Sequence, residues 1–441
     1  MSDDPAGRTA SGPAESDVPP VGMPAFREAL AYWVKLGFVN FGGPAGQIAL
    51  MHRDLVERRR WIGERPFLAA LDVCMLLPGP EAQQLATQVG WRLHGVRGGV
   101  AAGACFVLPS VAILLLLSWL YAAWGGLPAV VAVLGGIKPV VVAIIAAALL
   151  RIARRAVRTP LHAVLAVGSL IAIAWLRVPF PAIVGGAVLA GLAASRLAEH
   201  PRGAGPDTEP PALEPAARRV SLLGLGAAGL LLWALPAAAL ILLRGTASLH
   251  LQLYLFFTRA SFVTFGGAYA VLAYVADLAI GSGWLARHAM VDGLALAETT
   301  PGPLIIVLQF VGFMAGWNHP QGMAPAASGV LAALATTWAT FLPSTLLGLA
   351  TAPFAERLDR LEWARAALGA VTAAVVGVIA SLGLFLAREV LLPSAAGGRA
   401  DWVAAALAVA ATIALVRYRL EAHWAIAAGA LVGWMRLAMG V

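Results

Sequence analysis

Apolar and polar positions along this chain fall into blocks: long apolar runs alternate with short clusters rich in arginine, glycine and proline. Runs at 100–119, 129–150 and 220–243 reach or exceed the roughly 20 residues that cross about 30 Å of hydrocarbon, and 161–176 and 182–197 come close. Each predicts an α-helix, because a backbone in lipid finds no water and must bond to itself. Two further apolar runs, nearer the N-terminus, break off in mid-course. One breaks at FVNFGGP, 38–44, and the other at LLPGPEAQQ, 76–84. Glycine and proline there interrupt a helix inside what would otherwise be a span.

Both breaks recur. FVNFGG at 38–43 returns as FVTFGG at 262–267, PGP at 78–80 returns at 301–303, and LPS at 108–110 returns at 342–344. Asp54 and Trp61 are matched in the same order by Asp277 and Trp284. The offset is 223 or 224 residues up to PGP and 234 at LPS, so the second copy carries a longer loop around 318–327. Such ordered recurrence predicts a tandem duplication. Its expected parts are a disordered cytoplasmic tail over 1–24, a first repeat over 25–198, and a polar, proline-rich cytoplasmic linker over 199–219. An extra transmembrane helix over 220–244 and a second repeat over 245–441 follow. The tail lacks the basic start and small-residue cleavage site of a secretory signal. An odd number of crossings separates equivalent points of the two copies, so the repeats run inverted. That is a common plan of secondary transporters, with the site where the repeats meet.

Positive charge supplies the orientation. With the N-terminus inside, Arg151, Arg154, Arg155 and Arg158, then Arg202, Arg218 and Arg219, then Arg357, Arg360 and Arg365, and finally Arg417 and Arg419 all fall in cytoplasmic loops. The external loop 388–401, with Arg388 and Arg399, is the weakest fit. Segment 51–65 holds Arg53, Arg58, Arg59, Arg60 and Arg65, which would lie outside if 26–50 crossed completely. A turn at Gly42-Gly43-Pro44 that brings the chain back keeps all five inside. Stretch 67–77 gives only about 16 Å of helix, and a return through 81–91 leaves Arg92 and Arg97 inside. The pattern predicts an all-α polytopic membrane protein of two inverted-topology repeats. Each repeat has two broken or re-entrant helical hairpins, with FGG and PGP tips meeting near mid-membrane, plus transmembrane helices. Irregular backbone at that depth survives only where protein buries it or a wet cavity adjoins it.

The tips suit an anion. Helices leaving them, after Gly43, Pro80, Gly267 and Pro303, present unbonded N–H groups and a partial positive end, the setting in which phosphate and other oxyanions bind. The candidate anion-binding residues are Asn40, Gly42, Gly43, Pro44, Gln47, Pro78, Gly79, Pro80, Gln83 and Gln84 in the first copy. Thr264, Gly266, Gly267, Thr300, Pro301, Gly302 and Pro303 are their counterparts in the second. A lone GG or PGP is more often a kink or packing contact, and Gln47, Gln83 and Gln84 serve equally as glue between helices. The duplication of both motifs is what favours a site. Lys138, roughly 14 Å into its span, is either paired structurally or a fixed countercharge for the anion. Exchange of a proton for a substrate would need a titratable group, and the carboxylates beside the two PGP tips, Glu81 first and Glu298 second, are the candidate proton-coupling groups. The second copy departs from the first: Ala268 replaces Pro44, and Leu304 and Val307 replace Glu81 and Gln84. The first half therefore contributes more of the polar groups.

Composition narrows the classes. With 60% apolar and 12% charged residues and a mean hydropathy of +0.80, the 441-residue chain carries more apolar surface than one soluble core could bury. The net charge of +8 needs no nucleic acid, since the arginines gather at helix ends. No G-x-x-x-x-G-K-[ST] occurs and Lys35 and Lys138 are the only lysines, which excludes a P-loop motor within this chain. Cys74 and Cys105 have no metal-ligand spacing, and no haem, flavin or iron–sulfur pattern is present, so neither a cofactor nor an enzyme is expected.

FVNFGGPAGQIALMHRDLVERRRW, LDVCMLLPGPEAQQLATQVGWRLHG and FVLPS, with FVTFGGAYAVLAYV and ETTPGPLIIVLQFVGF in the second half, resemble the chromate ion transporter family in its long-chain, two-domain form. The resemblance runs from about Phe26 to the C-terminus. It implies proton-driven antiport of chromate out of the bacterial cytoplasm across the inner membrane, conferring chromate resistance, with sulfate as the isosteric competitor. A passive or sulfate-selective anion channel or transporter is the alternative. The partners so implied are the oxyanion, protons and the lipid bilayer; a homodimer is compatible with the sequence but not specified by it.

Overall fold

The computed structural model of the chain describes residues 22–41, 43–197, 221–265, 267–355, 362–392 and 400–439. The predicted linker and nearly all of the predicted tail lie outside these residues, as do Gly42, Gly266, Arg202, Arg218, Arg219, Arg357, Arg360 and Arg399. Among the described residues the chain is helical, with no strand.

The first repeat opens with α1 (Phe26–Val39), α2 (Gly43–His52) and α3 (Glu64–Leu76). A π-helical turn, Arg53–Arg58, follows α2 directly. These helices have 14, 10 and 13 residues, about 21 Å or less each, too short for the hydrocarbon. Next comes α4 (Glu81–Trp124), nominally 44 residues, but His94 and Gly95 inside it leave the helical region, Gly95 with φ +63°. The chain reverses there. A Cβ on Gly90 would lie 2.5 Å from the Gly98 carbonyl oxygen and 2.6 Å from Ala102 Cβ, and one on Gly103 would lie 2.5 Å from Thr87 Oγ1. Pairings 90 with 98 and 87 with 103 are antiparallel, so segment 81–93 folds back along 96–124, with glycines permitting the close approach.

Polar ties gather the open ends of these hairpins. His94 is 2.9 Å from the Pro24 carbonyl, and Arg59 sits 3.6 Å from Glu28 and lies over the rings of Tyr32 and Trp61. Both hairpins of the first repeat therefore begin and end on one side of the bundle.

Helices α5 (Pro128–Ala156), α6 (Pro160–Ala174) and α7 (Phe180–Leu197) complete the repeat, and α8 (Leu222–Arg244) is the additional helix. The second copy repeats the plan with α9 (Leu249–Val263), α10 (Ala268–Gly281), α11 (Arg287–Thr299), α12 (Val307–Asn318) and α13 (Pro325–Thr351). Here too α12 lies antiparallel to α13, with Gly316 against Ser328 and Gly312 against Thr336. Asn318 donates to the Trp284 carbonyl at 3.3 Å, and Gln321 accepts the Leu249 N–H at 2.9 Å. These hairpins also share one end. It is the opposite end, because Tyr121 at the far end of α4 reaches Asp292 near the start of α11. Helices α14 (Glu362–Leu391), α15 (Trp402–Arg417) and α16 (Ala422–Ala438) close the fold, α14 against α5, α6 and α7, and α16 against α5 through Gly136, Gly429 and Gly433.

Among the described residues, six helices are long and apolar enough to cross a membrane: α4, α5, α7, α8, α13 and α14. Leucines such as Leu223, Leu242 and Leu243 face outward, as they must on a lipid-facing surface. The chain is a multi-pass, all-α membrane protein.

Candidate functional site

The four tips meet, and they meet crosswise. The Gly79 N–H of the first PGP donates to the Thr264 carbonyl of the second FGG segment at 2.8 Å, and the Gly302 N–H of the second PGP donates to the Asn40 carbonyl of the first at 3.2 Å. Thr264 is the repeat equivalent of Asn40, and Gly302 of Gly79, so the two bonds are related by the duplication. Each PGP glycine also packs on the LPS serine of the other copy. A Cβ on Gly79 would lie 2.7 Å from Ser344 Oγ, and one on Gly302 would lie 2.5 Å from Ser110 Cβ. Their φ angles of +119° and +116° are closed to most side chains.

The FGG glycines differ. Gly43 and Gly267 have φ +70° and +97°, and a Cβ added to either would meet no heavy atom of the described residues within 4 Å. Open space thus lies beside the starts of α2 and α10, while the PGP glycines serve to interlock the copies. Pro80 and Gly267, the N-caps of α4 and α10, offer no side-chain cap to the first N–H groups of those helices. The fourth exit is not an α-helical start. A 3-10 turn, Leu304–Ile306, separates Pro303 from α12, and its β-branched Ile305 and Ile306 resist the helix.

The polar candidates divide into occupied and free groups. Gln83 accepts from Ser344 Oγ at 2.9 Å and donates to Thr345 Oγ1 at 2.9 Å, binding the repeats together. The hydroxyls of Thr264 and Thr300 turn back to the carbonyls of Ala260 and Leu296 in their own helices. Gln47, fully buried, donates to the carbonyls of Asn40 at 3.0 Å and Gly302 at 2.6 Å, and Gln84 donates to the Pro78 carbonyl at 2.7 Å. Among the described residues, Asn40 Nδ2 and Oδ1, Gln47 Oε1 and Gln84 Oε1 are buried without a partner. Buried polar atoms normally find one, and orphans clustered at a site mark where a ligand or water belongs. All four come from the first copy.

Pro44 is half-buried, Pro78 lies beside Gln84, and Pro80, Pro301 and Pro303 are buried within the tips. Glu298 accepts a hydrogen bond from Tyr269 OH at 3.0 Å. Glu81 opens α4 at the tip, half-buried. Lys138 stands apart from the tips, its Nζ 2.8 Å from Asp292 Oδ1. The sequence reading missed Asp292, Tyr121 and the two serines. Asp292 had a signal, a lone acid in the apolar stretch of α11, and ionisable residues inside a membrane are functional candidates by default. The serines stood in the duplicated LPS, whose spacing alone said nothing of what they touch.

Comparison with known proteins agrees with this architecture. The chromate transporter family model matches twice, over residues 27–192 and 251–434, one match per repeat. The chain is 32% identical over 436 residues to the chromate transport protein of Pseudomonas aeruginosa, covering 96% of this chain and 94% of that one. It is 31% identical to the probable chromate transport protein of Synechococcus elongatus, over 83% and 86% of the two chains. It is 28% identical to the chromate transport protein of Cupriavidus metallidurans, over 92% of each. No solved structure matches the fold. With both repeats matched and the likeness running nearly end to end, this chain belongs to the chromate transporter family.

Proposed function

We propose that the protein is a secondary active transporter that exports chromate from the bacterial cytoplasm across the inner membrane in exchange for protons, with sulfate as competitor. The observation that carries this is the crossed pairing of the tips around orphaned polar atoms. Two inverted copies each bring a broken segment to one place, and the irregular backbone there is buried in protein, the arrangement in which such breaks are tolerated in a bilayer. The hairpins of the first repeat enter and leave on the cytoplasmic face of the membrane, which keeps the arginines between α2 and α3 cytoplasmic, and those of the second repeat on the opposite face. The oxyanion sits against the N-termini of α2, α4 and α10, with Asn40 and the space beside Gly43 and Gly267 as its immediate surroundings. Lys138 supplies positive charge near the path, and Glu81, with Glu298 second, exchanges the proton. The named substrate of the relatives supports chromate as cargo.

Flux of labelled chromate and sulfate through inverted vesicles, with and without an imposed pH gradient, tests the proposal. Export by exchange requires acceleration by the gradient in the wild type and loss of that acceleration in Glu81→Gln, with substrate exchange retained. A membrane potential alone moves a dianion outward with about 4.6 kcal/mol per 100 mV. Flux that follows potential and ignores pH would therefore mean a channel.

A further inference from the structure

One group of charges is not accounted for by the tips. Asp292, only 4% exposed, faces Lys138 Nζ at 2.8 Å through Oδ1 and accepts from Tyr121 OH at 2.9 Å through Oδ2. Tyr121 and Lys138 belong to the first repeat and Asp292 to the second. Their repeat equivalents are Ala355, Thr372 and Ala69, so the cluster breaks the pseudo-symmetry that organises the tips. A buried ion pair is weak evidence of a stabilising role, since well-packed apolar residues often do as well.

All three side chains line a cavity of about 420 Å³, together with His288, Trp317 and Asn318. Water occupies about 30 Å³ per molecule, so this volume has room for a tetrahedral dianion with part of its hydration shell. The lysine side chain is 24% exposed and the aspartate 5%, so the cation is the more accessible partner. Asp292 precedes Thr299, at the PGP end of α11, by seven residues, about 10 Å along the helix. The cavity is thus a place apart from the tips but joined to one of them by a single rigid helix.

We infer that this cavity is a second anion station, in which Lys138 is the cationic ligand and Asp292 is a tethered carboxylate that occupies the lysine when no substrate is present. The inference rests on the oxyanion-transport reading above. An arriving dianion offers the ammonium more charge than one carboxylate does, and takes its place. Tyr121 OH keeps the displaced carboxylate hydrogen-bonded. Competition from the tether weakens the station, which transport requires: a site must bind well enough to be entered and loosely enough to be left.

The test measures sulfate and chromate binding by calorimetry, with full-length protein in nanodiscs. Asp292→Asn preserves shape and a partner for Tyr121 while removing the competing charge, so affinity at this station should rise about tenfold or more, within the usual range for coupled sites. The double variant Lys138→Met/Asp292→Asn leaves no orphaned charge and should lose the station, binding one anion per chain where the wild type saturates at two. Unchanged or weaker affinity in folded Asp292→Asn overturns the inference, because a merely structural pair would respond that way. If the single variant does not accumulate, the stoichiometry of the double variant decides, and a value equal to the wild type overturns it. Failure of the wild type to bind either oxyanion would instead overturn the transport reading itself.

Discussion

Alanine at Gly302 and, separately, at Gly267 distinguishes interlocking from ligand space at the tips. Both glycines have positive φ, +116° and +97°, so each substitution carries a backbone cost of about 1–3 kcal/mol. Only at Gly302 does the added carbon meet a neighbour, since it would lie 2.5 Å from Ser110 Cβ, inside van der Waals contact. Overpacking of that kind costs about 1–3 kcal/mol more. Gly302→Ala should therefore lose about 2–6 kcal/mol and Gly267→Ala about 1–3 kcal/mol of stability. Thermal unfolding of the purified variants, read by size-exclusion chromatography, should rank them in that order. Anion affinity of the folded fraction should rank differently. The methyl group at position 267 would enter the open space beside the start of α10. Losing one charge-assisted hydrogen bond there, about 1.5–3 kcal/mol, weakens oxyanion binding about ten- to a hundredfold. Equal stability losses would refute the account of the interlock. Wild-type affinity in Gly267→Ala would show that the open space does not hold the anion.

Two other outcomes follow from the geometry. With Cys74 and Cys105 replaced, a cysteine at Gly63 should react with an impermeant thiol reagent only from the cytoplasm, and one at Gly283 only from the periplasm. The two loops join the open ends of the hairpins, at opposite ends of the bundle in the two repeats, so labelling of both from one side would rule out the inverted hairpins. In the loop ahead of α15, burial alone would raise the carboxyl of Asp401, but the Ala404 N–H and the Arg436 guanidinium, 2.9 and 3.0 Å away, outweigh it and hold the group below the usual aspartate range. A value lower in the folded state than in the unfolded one gives stability that is present above about pH 4 and is lost as pH falls through the folded value. Asp401→Asn should flatten the fall of the thermal midpoint in acid; an unchanged acid profile would mean that the cap and its arginine contribute nothing.

Much of the architecture is a local property and was legible in the linear chain. Apolar length specifies which segments can cross, and the helices at 128–156 and 222–244 lie within a few residues of the runs that announced them. Glycine and proline act on their own backbone, so FGG and PGP marked the breaks directly. The repeat was visible because duplication preserves order. The five arginines between Met51 and Arg65 are what made a folded-back course of the broken segments the sequence expectation, because positive charge biases a loop toward the cytoplasm.

Contacts between the copies are another matter. Nothing in the spacing of PGP and LPS says that the glycine of one copy rests on the serine of the other, because that depends on how two inverted units dock. The same holds for the division among polar tip residues. Gln83 is consumed by Ser344 and Thr345, while among the described residues the Asn40 side chain is left unpartnered, a distinction set by neighbours more than two hundred residues away in the chain. Lys138 was recognisable as an ion set deep in its span, but its partner was not. Asp292 lies in the other repeat, and the energy that selects it is Coulombic, acting through space in a low-dielectric interior where proximity is decided only once the helices have packed. Hydrophobic length and backbone chemistry thus specified the elements and their breaks; which of their polar groups meet was decided by tertiary packing alone.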